Sequence, residues 1–238
     1  MPTLMRQDAT PLLLHWHADK PLPVRLLRGV GRVATPAPAY WPTGPAESPF
    51  DFCDHVRRLA ADIAQRCEAL RHIDTSRVLF AVTQARGRHG HGLQARVTPL
   101  RFAGGELQRA RRGALYQVQR FLHGETEFLY VLAFCLPRFL EQDFDGKFVT
   151  LFHELYHISP AFDGDLRRHQ GRYSVHSHSQ RAYDRHMAHL ARAYLATRPD
   201  PDLHAFLRLD FAQLVHRHGA VAGIRVPRPK IVPVVVPD

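Results

Sequence analysis

His153-Glu154-Leu155-Tyr156-His157 is a run of residues whose types and spacing could hold a catalytic zinc ion. On a helix, residues four apart lie one turn apart on one face, so both imidazoles can reach a single cation. The glutamate beside the first histidine then touches a water at that cation without ligating the metal. Zinc held there lowers the pKa of the water to about 7 and polarises a carbonyl, and Glu154 acts as general base, taking the proton and later passing it to the leaving amine. The chain has 17 histidines, so a chance match competes with this reading. The elements around the motif have to decide.

From about Phe139 to Ile158, Phe148, Leu151, Phe152 and Leu155 recur on one face, which predicts a helix closed by Ser159-Pro160. The two histidines project away from that stripe, so they do not read as core residues. An apolar, aromatic run from Phe128 to Leu136 precedes the helix and predicts a buried strand, paired as a hairpin with Ala114–Leu122. Ser159 to His178 shows no clear secondary structure, and loops that long inside compact domains are usually functional.

Zinc in a catalytic site takes a third protein ligand and keeps a fourth position open. His169, His176, His178, His186 and His189 lie downstream, with Asp163, Asp165 and Asp184. His176 and His178 stand just before a predicted helix start, where a returning chain can deliver an imidazole. His186 and His189 fall within that helix, where a solvated or packing role is the simpler reading. The aspartates could orient an imidazole through its outer ring nitrogen, or serve as ordinary turn and helix-start residues. Arg172, Tyr173 and Tyr156 are candidates to stabilise an oxyanion.

The stretches Leu136-Pro137-Arg138-Phe139, Thr150 to Pro160, Phe162-Asp163-Gly164-Asp165-Leu166-Arg167-Arg168 and His176 to Asp184 resemble phage-type and bacterial metallopeptidase domains. These are minimal zincins, more distantly similar to SprT-like proteases. The resemblance covers about residues 75 to 195. It implies a short sheet packed on the active helix, zinc as cofactor, and a third histidine beyond the loop: His176 first, His178 second, His169 third. SprT-like sites carry glycine after the third histidine, whereas Ser177 or Ser179 follows here.

The remaining pattern predicts an irregular, proline-rich arm over residues 1–47 with a short strand at Val24–Leu27, a metallopeptidase domain over 48–222, and an extended tail over 223–238 able to add an edge strand. Ser48-Pro49 starts a first helix that runs through Val56, Leu59, Ile63 and Leu70. Strands follow at Val78–Thr83 and Leu93–Phe102, then Ser179–Thr197 and Pro201–His218 are helical. The expected fold is α+β and zincin-like: a small mixed or antiparallel sheet packed on the active-site helix, with further C-terminal helices.

A net charge of +10 comes from arginine, since Lys20, Lys147 and Lys230 are the only lysines. Without a recognisable docking module, nucleic acid is a weaker expectation than a protein or peptide substrate. Arg86–Gly92 and Arg109–Arg112 are basic clusters that either follow a phosphate backbone or form solvated hairpin tips. Cys53, Cys67 and Cys135 lack CxxC spacing and read as free thiols in a reducing cytoplasm, and no apolar run reaches a membrane span. The expected activity is therefore that of a cytoplasmic zinc metallopeptidase. Its rivals are an SprT-like protease acting on DNA-bound proteins, a non-catalytic protein in which four protein ligands close the zinc site, and a metal-free protein in which the motif is a solvated histidine face.

Overall fold

The computed structural model describes residues 10–29, 47–87, 92–168 and 180–234. Part of the basic loop, residues 88–91, lies outside them, as do most of the N-terminal arm and the second half of the long loop, residues 169–179. In chain order the elements are β1 (Leu13–Trp16), β2 (Val24–Leu26), β3 (Phe50–Asp51), α1 (Phe52–Arg66), β4 (Val78–Gln84), β5 (Ala95–Pro99), β6 (Gln108–Arg111), β7 (Ala114–Val118), β8 (Arg120–His123), β9 (Thr126–Phe128) and β10 (Tyr130–Leu136). There follow α2 (Phe144–Tyr156), α3 (Gln180–Ala196), α4 (Pro201–His204), α5 (Phe211–His218), β11 (Val221–Ile224) and β12 (Ile231–Pro233). The fold is mixed α+β, and among the described residues the strands form four three-stranded sheets.

The sheet that positions the motif has the order β4-β10-β5, with β10 parallel to β4 and antiparallel to β5. Successive strand residues point to opposite faces, and here both faces are buried. Val78, Phe80 and Val82 join Tyr130, Leu132 and Phe134 in the core shared with the helices. Leu79, Ala81 and Val131 enter a second core with Phe121 and Phe128. Burial on two sides explains why β4 and β10 read as continuous apolar runs rather than alternating ones.

The expected hairpin between Ala114–Leu122 and Phe128–Leu136 is not what forms. Gln119 divides the first stretch: its N–H donates to the carbonyl of Lys230 and its side chain to that of Pro11. The hairpin is β8–β9, turning at Gly124 with positive φ, while β10 continues into the centre of the other sheet. The arm and tail also contribute strands. β1 lies parallel to β8, where Trp16 meets Phe121 edge-on at 5.5 Å. β2 pairs with β11 close to the expected Val24–Leu27 strand, and β12 forms the anticipated edge strand against β7.

Helix limits shift for identifiable reasons. Phe50–Asp51 is held as a strand by β11, so α1 begins after it, capped by Asp51 rather than Ser48. Arg138–Glu141 is a separate 3-10 turn, and α2 starts behind Asp143, whose carboxylate accepts from the Gly146 N–H at 2.7 Å. The expected helix over Pro201–His218 breaks at Leu209, and Asp210 restarts it with a capping box to Gln213. That break frees carbonyls. Buried Lys147 on α2 donates to two of them, Leu207 at 2.9 Å and Leu209 at 2.8 Å, tying the motif helix to the C-terminal helices.

Candidate metal centre

α2 presents Phe148, Leu151, Phe152 and Leu155 to the helix-side core, each almost fully buried and each contributing about 1.5–3 kcal/mol. That anchorage fixes the rotation of the helix and therefore the direction of the residues between. His153 and His157, one turn apart, bring their Nε2 atoms to 2.9 Å. Two donors about 2.1 Å from a tetrahedral zinc stand roughly 3.4 Å apart, so a spreading of the rings by about 0.5 Å would seat the cation. Without a metal, the same pair makes an N–H···N hydrogen bond when one ring carries the proton.

The expectation that both histidines stand away from the core holds only in part: His153 is half-buried, and His157 is buried. His157 is 6% exposed and Glu154 8%. Helix α3 covers them through Tyr183, whose ring centre is 4.9 Å from His153 and 5.8 Å from His157, nearly parallel to the latter. Asp184, the next residue, places Oδ1 3.9 Å from His153 Nδ1. At that distance the carboxylate lies beyond hydrogen-bond reach of the ring and acts on it through its charge.

Glu154 points to the sheet edge, where its Oε2 accepts the Val97 N–H of β5 at 2.7 Å. Burial pushes its carboxyl up to about 7, with the Val97 N–H and nearby Arg96 offsetting only part of the rise. A carboxyl poised near neutrality can both take and return a proton.

The FDGDLRR stretch is an ordered loop that returns to the helix. Its Asp165 carboxylate accepts from Gly104 N–H, Leu166 N–H and the Arg168 guanidinium. Asp163 accepts the N–H of Asp165 in a local turn. Neither is an imidazole partner, so of the three aspartates considered only Asp184 faces a motif histidine. Gly164, at φ +87°, has no room for a side chain, because a Cβ there would lie 2.5 Å from Arg101 Cγ. Its N–H donates to the Tyr130 hydroxyl, which donates in turn to the Asp165 carbonyl.

Tyr156, one of the oxyanion candidates, packs edge-on to Tyr183 and His186 and carries the Arg167 guanidinium over its ring at 4.0 Å. His186 and His189 are exposed on α3. His169, His176 and His178 lie outside the described residues, as do Arg172 and Tyr173. Among the described residues no cluster of three or more His, Cys, Asp or Glu side chains suits a metal. The flanks of the 169–179 segment are nonetheless both at the site: Arg167 N–H donates to the His157 carbonyl at 2.7 Å, and α3 brings Tyr183 and Asp184 to His153. Within what is described, the donor set fits a divalent cation at two positions.

The three cysteines are free, and burial pushes Cys53 up to about 12, which keeps it an unreactive thiol. Among the described residues no helix is long and apolar enough to cross a membrane. Comparison with protein-family models, curated proteins and solved structures finds no match.

Proposed function

We propose that the chain is a zinc-dependent metallopeptidase with a zincin-like arrangement, hydrolysing peptide bonds. His153 and His157 are two zinc ligands, His176 is the first choice for the third, with His178 and His169 behind it, and Glu154 is the general base. The observation that carries this reading is the approach of the two Nε2 atoms to 2.9 Å, with the Tyr183 ring packed against them and Asp184 beside His153. When bound, zinc supplies a Lewis acid that polarises the scissile carbonyl and acidifies water. Glu154 takes the proton as the water oxygen attacks the carbonyl carbon, then delivers it to the amine nitrogen as the C–N bond breaks. The Val97 N–H holds one carboxylate oxygen, so the orientation of the base is set by the sheet.

The test is elemental analysis of the purified protein beside His157→Ala and His176→Ala. The expected result is about one zinc per chain in the parent and none in either variant. A parent that takes up no zinc after incubation with the metal sinks the proposal, and zinc retained by His176→Ala alone moves the third ligand to His178 or His169.

A second reading, proteolysis of nucleic-acid-bound proteins, is favoured by one surface feature. A groove of about 380 Å³ is lined by Phe102, Arg109, Arg111, Arg112, Tyr116 and Ile231. Tyr116 lies opposite Arg109 in the β6–β7 ladder, and the three arginines have no carboxylate partner in a salt bridge among the described residues. Guanidinium groups beside aromatic rings suit a single-stranded phosphate backbone and its bases. Anisotropy with a labelled single-stranded oligonucleotide should show affinity falling steeply with salt. Replacing the three arginines by glutamine should flatten the log–log slope by about 2. An unchanged slope removes this reading and leaves a solvated hairpin.

A further inference from the structure

We propose that Arg167 is a positioning residue for the metal centre, holding the histidine-bearing end of α2 from outside the helix; this rests on the metallopeptidase reading. The last carbonyls of a helix have no intrahelical partner, and two of those at the end of α2 belong to Tyr156 and His157. Arg167 satisfies both: its N–H donates to the His157 carbonyl at 2.7 Å and its Nε to the Tyr156 carbonyl at 2.7 Å. Its positive charge also sits at the negative end of the helix dipole.

The same guanidinium lies over the Tyr156 ring at 4.0 Å, and Tyr156 meets Tyr183, the ring packed against both motif histidines. The backbone N–H thus holds the His157 carbonyl, while the side chain holds the Tyr156 carbonyl and the aromatic wall of the site, so only the latter two are lost when the side chain is replaced. Arg167 is itself anchored to the sheet. Ile158 and Leu166 form a bridge, Ser159 N–H donates to the Asp165 carbonyl, and the Tyr130 hydroxyl of β10 donates to that same carbonyl. The neighbouring Arg168 pairs with Asp165 instead. The two consecutive arginine side chains therefore divide the work: Arg168 closes the loop on itself, and Arg167 reaches the Tyr156 carbonyl and ring at the end of α2.

A plain helix cap would raise overall stability and leave ligand geometry alone, so the test separates the two. Arg167→Gln, Arg167→Lys and, as a remote control, Arg120→Gln, which breaks a pair with Glu127 in the β8–β9 hairpin, are compared with the parent. Three readouts are taken: thermal stability, Co²⁺ affinity from visible absorption, and amide hydrogen exchange of the metal-free proteins. Arg167→Gln should lose about tenfold to a hundredfold in Co²⁺ affinity and expose the His157 and Ile158 amides to faster exchange, with Phe148 to Phe152 unchanged. Arg167→Lys, which keeps the charge and one donor, should recover part of both losses. The control should show neither, at any loss of thermal stability. Unchanged Co²⁺ affinity and exchange in Arg167→Gln, or an affinity loss matched by the control, overturns the proposal. A parent that binds no Co²⁺ defeats the metallopeptidase reading instead, and the exchange data then judge the clamp alone.

Discussion

Glu154→Gln should lower peptide hydrolysis by about a thousandfold while leaving zinc content and fold intact. The substitution keeps the shape of the side chain and an oxygen able to accept the Val97 N–H, but it removes the group that carries the proton from water to the leaving amine. Because the glutamate is 8% exposed and burial disfavours its charged form, the neutral amide should fold at least as well as the parent. Hydrolysis of an unstructured protein such as casein, alongside zinc per chain and the unfolding midpoint, makes the distinction. Activity that survives with zinc bound would remove Glu154 from the mechanism. Activity lost together with zinc or the fold would assign the residue to the structure of the site.

Asp165→Ala should destabilise the protein by about 2 kcal/mol, because it leaves the Gly104 and Leu166 N–H groups without their acceptor at a buried position and breaks the ion pair to the exposed Arg168. Burial alone would raise this carboxyl, but the bonds from Arg168, Gly104 and Leu166 outweigh it and hold the carboxyl below its ordinary value. A carboxyl lowered in the folded state binds fewer protons there than in the unfolded chain. Its contribution is therefore full above the unfolded pKa of about 3.9 and is lost as pH falls through the folded value. Denaturant unfolding of both proteins from pH 7 downward should show a gap that is widest near neutrality and closes in acid. A gap independent of pH would mean that the carboxylate charge adds nothing, and that the cost comes from the turn geometry.

The part of this site legible in the sequence was the part made by neighbours on one helix. His153, Glu154 and His157 need only the 3.6-residue period to be brought together, and the stripe from Phe148 to Leu155 states which side of that helix is buried. The β4 and β10 strands were equally plain, since burial on both faces leaves uninterrupted apolar runs. The parallel pairing of these two strands was not legible, because it joins segments some fifty residues apart with no local turn to announce it. β1 escaped for the same reason, being a short half-exposed strand that exists only because β8 offers a free edge.

Long-range contacts also reassigned roles. Asp163, Asp165 and Asp184 were indistinguishable as acidic residues downstream of the motif. The first two proved to be tied into the loop, and only the third faces His153. Tyr183 had no sequence signal, since an aromatic residue at helical spacing is ordinary core, yet it walls both histidines. Lys147 looked like one charge among many and is a buried tie between helices.

By itself, the sequence determined the chemistry on offer: two imidazoles and a carboxylate on one helical face, an apolar stripe to seat that helix, and a strand to seat it on. Tertiary structure alone decided which groups surround them. The bond from Val97 to Glu154, the approach of Asp184 to His153 and the reach of Arg167 to His157 each join residues on different elements. Spacing along a chain reports only on contacts within one element, and these depend on how separate elements pack.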